Sequence, residues 1–273
     1  MEALIAQRLP LFWKMMAVVT AAVALLLWRY LTLLGRGCLP GQEGTPAGVR
    51  GLLGAVLRRP SAGRRRFLSH LLLDGLLHRR LWHRDRARWL AHQAMLSGFL
   101  GLAFLSFLAA LSEHALLPLG LTHPVVAALR DKDQPFLAAL HETLGLVLLL
   151  GGLAAGLRRG LRRPTHLPNE GADVAAISLL LFIVASGYPL ESLRLLAESV
   201  PPSVARYSYL GWLLARWMAP LDLAWPIWHF WVFQAHVIAS VALFVYWPMS
   251  KMVHVLLSPF IAALGASEAQ PTR

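Results

Sequence analysis

The chain has 273 residues, of which 57% are hydrophobic and only 15% charged. A soluble domain of this size has no use for so much apolar sequence, so composition places the chain in a membrane. The formal net charge of +12 sits in loops beside apolar segments, which makes it a topology signal and sets nucleic-acid binding aside. Cys38 is alone, which excludes an intrachain disulfide, a C-x-x-C-H haem attachment and an iron–sulfur ligand set. A redox centre here must be held by histidine without a covalent link.

Five segments are long and apolar enough to cross a bilayer: 15–34, 89–111, 136–157, 174–197 and 225–247. The first looks like a signal peptide. Its positive charge follows it, however, and no small-x-small cleavage site comes after, so it reads as a span. Loop 35–88 holds twelve arginines against Glu43, Asp74 and Asp85. Loop 157–172 holds Arg158, Arg159, Arg162 and Arg163 against Glu170, whereas 112–135 balances Arg130 and Lys132 with Glu113, Asp131 and Asp133. The positive-inside rule puts the basic loops in the cytoplasm, the N-terminus outside and the C-terminus inside. The expected fold is an all-α integral membrane protein with five transmembrane helices. Residues 1–273 read as one domain, with a cytoplasmic amphipathic loop over 35–88 and a short C-terminal tail over 255–273.

Within that loop, R-G-L-L-G-A-V-L-R-R and F-L-S-H-L-L-L-D-G-L-L-H-R-R-L-W mix apolar and basic residues at helical spacing. Pro60, Ser61 and Gly63 separate them into two helices. They suit the inner leaflet, with Arg toward lipid phosphate, and equally a dock for a cytoplasmic subunit. His70, His78 and His83 read as surface residues, as do His114 and His123 in the opposite loop.

Histidines inside the spans are the chemically informative residues. A lone intramembrane imidazole can simply bond a backbone carbonyl, yet polar groups at this depth are costly and are functional candidates. His92 opens the second span at its cytoplasmic end, near Ser97, Gly98 and Gly101. Those small residues suit either the approach of a macrocycle or plain helix packing. His141 lies in the outer half of the third span. His236 and His254 are 18 residues apart, five whole turns of an unbroken helix, so both leave one face about 27 Å apart. That spacing suits two stacked haems, with His92 and His254 on the inner iron and His141 and His236 on the outer one. His229, seven residues before His236, is the rival for the outer iron.

Four blocks resemble the membrane cytochrome b subunit of respiratory nitrate reductases: W-L-A-H at 89–92, G-G-L-A-A-G-L-R-R at 151–159, G-A-D-V-A-A-I-S-L-L-L at 171–181 and H-V-I-A-S-V-A-L-F-V-Y-W-P-M-S-K-M-V-H at 236–254. His92, His236 and His254 fall on that family's haem-ligand positions. The remaining family ligand would be at Leu102, and His141 is its natural replacement. That departure, with L-L-D-G-L-L-H-R-R-L at 72–81 and G-Y-P-L-E-S-L-R at 187–194, resembles another branch. It is that of the heterodisulfide-reductase-like complexes and the sulfate-reducer transmembrane complexes.

The resemblance implies two haems b and a quinone, menaquinone or ubiquinone, as substrate. It implies a cytoplasmic iron–sulfur partner and a bacterial or archaeal cytoplasmic membrane. Some complexes of this kind add further membrane subunits and a periplasmic multihaem cytochrome c. The family relation points the quinone to the outer haem. Lys132 falls within one position of a family quinol-binding lysine, and Asp131 and Asp133 flank it. Glu191 and Arg194, three apart, suit a helix-surface pair, a haem-propionate contact or the quinone slot. The expected role is a dihaem b electron-transfer subunit of a quinone-linked oxidoreductase. The rival is a haem-free membrane anchor or transporter subunit, which would purify colourless.

Overall fold

The computed structural model describes residues 2–37, 44–58, 60–161, 171–250 and 254–266. Among the described residues every regular element is helical and no strand occurs. Five helices are long and apolar enough to span a membrane: Ala17–Gly35, Arg86–Leu116, Pro135–Arg158, Val174–Ala197 and Trp225–Met249. These match the five segments expected from sequence to within a few residues. In a bilayer all backbone polar groups must be satisfied within the segment, so apolar runs of this length fold as helices. The elements form two compact units.

The first unit comprises Met1–Trp89, Glu170–Ala176 and Val241–Arg273. It contains α1 (Glu2–Gly35), α2 (Gly48–Leu57), α3 (Ser61–His70) and α4 (Arg79–Arg84). The break at Pro60 falls where expected. A second break, at His78, follows a π-helical turn over Leu71–Leu76 and is made by a left-handed backbone (φ 49°). Buried Leu34, Leu52, Phe67, Ala263 and Leu264 form the core. Phe67 meets Phe260 edge-on at 5.6 Å. Gly75 lets the π turn touch Pro259, since a Cβ there would lie 2.8 Å from the proline Cα.

One feature of this unit departs from the sequence reading. The fifth span does not continue as one helix to His254. It ends at Tyr246, turns through a 3-10 segment at Trp247–Met249, and reaches extended backbone at Ser250 (ψ 169°). Pro248 supplies no N–H to continue the helical ladder, which is the physical reason for the stop. The five-turn register between His236 and His254 therefore does not hold. Residues 255–266, in the stretch read as a short C-terminal tail, are helical. They belong to a further apolar helix, α12 (His254–Ala266), whose Ala263 and Leu264 enter the core.

The second unit comprises Leu90–Asn169 and Ile177–Ser240. Its helices are α5 (Arg86–Leu111), α6 (Pro124–Arg130), α7 (Pro135–Leu161), α8 (Gly171–Ala197), α9 (Pro202–Ala205), α10 (Tyr209–Met218) and α11 (Trp225–Tyr246). Glycines bring α5 and α7 into contact. A Cβ on Gly98 would lie 2.7 Å from Leu148 Cβ, and one on Gly101 would meet Leu144 at 2.8 Å. Gly151 answers from α7 against Ala91, Ala94 and Met95. Of the two uses foreseen for Gly98 and Gly101, the structure displays helix packing. Gly152 meets Leu181 of α8 in the same way.

Candidate functional site

His92 and His141 lie at different depths of the second unit. The α5–α7 contacts set Ala91 and Met95 opposite Gly151, so His92 is level with the Gly151 region. His141 is ten residues earlier on α7, which is about 15 Å along the axis at 1.5 Å per residue. His92 is half-buried. His254 begins α12, and its side chain, like residues 162–170 and 251–253, lies outside the described residues.

His141 and His236 share a level, set by one stretch of α8. Ser186 Oγ is 3.0 Å from His236 Nδ1, and a Cβ on Gly187 would lie 3.8 Å from His236 Cε1. One residue on, the Tyr188 hydroxyl donates to the Glu142 carbonyl at 3.2 Å and touches Gly145, one turn beyond His141. The helices bearing His141 and His236 thus both meet α8 at Ser186–Gly187–Tyr188. His229, the rival ligand, is half-buried and stacks obliquely on Phe233, 6.2 Å between ring centres.

The donor chemistry of this pair fits an iron porphyrin. His141 Nδ1 lies 2.9 Å from the Leu137 carbonyl. A carbonyl only accepts, so Nδ1 carries the proton and Nε2 keeps its lone pair. His236 likewise anchors through Nδ1, on Ser186. Metal-ligating histidines characteristically fix the ring through the second nitrogen in this way. His141 is exposed along the span, and His236 is half-buried.

A polar cluster occupies the end of α8 on that side. Arg194 Nε donates to Glu191 Oε2 at 3.0 Å, and Nη2 donates to Glu191 Oε1 at 2.9 Å. Nη2 also reaches Asp133 Oδ1 at 2.8 Å, and Nη1 reaches Glu198 Oε2 at 2.9 Å. Ser208 Oγ donates to Glu191 Oε1 at 2.9 Å. Glu142, only 6% exposed, accepts from the Leu210 N–H at 3.1 Å. Gly211 makes room for both acids, because a Cβ there would lie 2.7 Å from Glu191 Cγ and 3.2 Å from Glu142 Oε1.

Of the five residues expected near the quinone, the structure joins Asp133, Glu191 and Arg194 directly. Lys132 lies close enough for its charge to act on Glu191. Asp131 instead accepts the Asp133 N–H at 2.9 Å and shapes the turn before α7. Glu142, Tyr188, Glu198 and Ser208 were not foreseen. Glu142 was readable as an acid inside an apolar segment. The others gain their place only through tertiary contacts.

The histidines expected at the surface divide. His83 and His114 are exposed, and exposed His123 caps α6 by accepting the Val125 N–H. His78 is half-buried, with Nδ1 3.0 Å from the Leu76 carbonyl. His70 bonds Asp74 Oδ2 through Nδ1 at 2.7 Å, and Arg79 Nε stands 3.3 Å from the other carboxylate oxygen. Burial pushes the Asp74 carboxyl up. The His70 hydrogen bond and the charges of Arg79 and Arg80 outweigh it and hold the group below its usual value.

Five apolar spans, with imidazoles at two depths among them, are the frame of a membrane electron-transfer subunit. Residues 103–263 match the family model of the nitrate reductase gamma subunit. That is more than half of the chain, and the chain belongs to this family, whose members are membrane cytochrome b subunits of an oxidoreductase complex. The matched stretch includes His141, His236, His254 and the Arg194 cluster; His92 precedes it. No match was found among curated proteins, and none among solved structures.

Proposed function

We propose that the chain is a dihaem b subunit that carries electrons across the membrane between quinone and a cytoplasmic iron–sulfur protein. The observation that carries this reading is the shared level of His141 and His236 on α8, each anchored through Nδ1, with His92 about 15 Å deeper. His141 and His236 hold the outer haem; His92 and His254 hold the inner one. Each bound haem supplies a one-electron centre at its level. Residues 1–273 act as a single cytochrome b domain. The N-terminus is outside and the C-terminus in the cytoplasm of a bacterial or archaeal membrane.

The quinone headgroup binds on the outer side, beside Lys132 and the Asp133–Glu191–Arg194 cluster. There Arg194 keeps the Glu191 carboxylate oriented, and Lys132 contributes positive charge next to it. The substrate is menaquinone or ubiquinone. On the cytoplasmic side, arginines of α3 and α4 dock the iron–sulfur subunit. Some complexes of this kind add a periplasmic multihaem cytochrome c and further membrane subunits.

Haem stoichiometry tests the reading. A pyridine haemochrome assay on the purified chain should approach two haems per polypeptide. A colourless protein would reject it in favour of a haem-free anchor or transporter subunit. Crosslinks from the 58–88 arginines should reach an iron–sulfur subunit; crosslinks only to lipid or to periplasmic proteins would count against that docking surface.

A further inference from the structure

Ser186 is the polar neighbour of His236 on α8. Its hydroxyl lies 3.1 Å from the Ile183 carbonyl, to which it donates, and 3.0 Å from His236 Nδ1. A serine hydroxyl has one proton. With that proton on Ile183, the oxygen meets His236 by a lone pair and accepts the Nδ1–H. That contact selects the tautomer with the proton on Nδ1 and the lone pair on Nε2.

We propose that Ser186 is a positioning residue for the outer haem: by accepting the His236 Nδ1–H it fixes the ring and strengthens Nε2 as an iron ligand. This rests on the assignment of His236 as a ligand. A bond from Nδ1–H to an oxygen acceptor raises imidazole basicity and so favours the oxidised iron. Losing the acceptor weakens that donation and raises the reduction potential of that haem alone. The residue touches neither substrate nor iron, so its effect is on potential and ring orientation.

The experiment is a redox titration of the purified full chain, followed by optical and electron paramagnetic resonance spectra, for Ser186→Ala, Ser186→Thr and His236→Ala. Ser186→Ala should keep two haems, shift one midpoint potential upward and alter the low-spin resonance of that centre. Ser186→Thr, which retains the hydroxyl, should restore both. His236→Ala should lose one low-spin haem. If His236→Ala keeps two low-spin haems, the ligand assignment falls and the Ser186 inference falls with it. If His236→Ala loses one haem while Ser186→Ala leaves both potentials and spectra unchanged, the assignment stands and the Ser186 inference alone is overturned.

Discussion

Arg194 grips Glu191 by two parallel hydrogen bonds, and its side chain is only 7% exposed. The same guanidinium reaches Asp133, which lies 61 residues earlier, before α7. One buried cation thus ties two spans together. Bidentate, charge-assisted bonds of this kind are strong and geometrically exacting.

Arg194→Ala should therefore leave Glu191 without its counter-charge in a largely dry site. Removing one partner of a buried pair costs about 3–5 kcal/mol. Thermal unfolding of the detergent-solubilised protein should show a large drop in midpoint. Arg194→Lys keeps the charge but loses the fork, so it should fall between wild type and alanine.

Gly98→Ala should destabilise the protein and Gly156→Ala should not. A Cβ at Gly98 would meet the α7 backbone at 2.8 Å, so α5 and α7 must separate. Overpacking of this sort costs about 1–3 kcal/mol. Gly156 has nothing within 4 Å of its would-be Cβ and lies inside α7. Alanine there should be neutral or stabilise by up to about 1 kcal/mol through helix propensity. Paired thermal melts check both.

The spans were legible because their apolar runs satisfy the length a bilayer demands, and the observed ends fall within a few residues of the expected ones. What hydropathy hid was the stop near Pro248. An apolar run reads the same whether it is one helix or two, so the 236–254 spacing gave a register the backbone does not keep. The Glu191–Arg194 pair was legible from its i, i+3 spacing. Asp133, Ser208 and Glu142 joined it only through α7 and the α9–α10 connection, separations that no local pattern encodes. Ser186 was silent for the same reason: its partner His236 is 50 residues away.

Acid stability should depend on Asp74. Its folded carboxyl titrates below the ordinary value of 3.8. A depressed carboxylate stabilises the fold above the unfolded value and loses that contribution as pH falls through the folded one. Asp74→Asn should therefore be less stable than wild type at neutral pH. The gap should close as the medium is acidified below about pH 4, the ordinary carboxylate range. Denaturation midpoints compared at pH 7 and across the acid range measure this directly; a gap that persists unchanged into acid would contradict it.

The outer ligand pair makes the sharpest comparison. His141 anchors Nδ1 on Leu137, leaving Nε2 as its lone-pair nitrogen, and sits level with His236 across the Ser186–Tyr188 stretch. His229 stands two turns before His236, with its ring against Phe233. Removing a true axial imidazole opens an iron position, which converts a low-spin centre to high-spin or empties it. His141→Ala should therefore lose one low-spin haem and block quinol-driven reduction. The second haem should persist, because His92 lies about 15 Å deeper. His229→Ala should change haem content and spin state little. Haem assay, low-temperature optical spectra and quinol reduction kinetics on the two variants decide between them. Loss of the low-spin centre in His229→Ala, with His141→Ala intact, would move the outer iron to His229 and leave His141 as a histidine that merely bonds the Leu137 carbonyl.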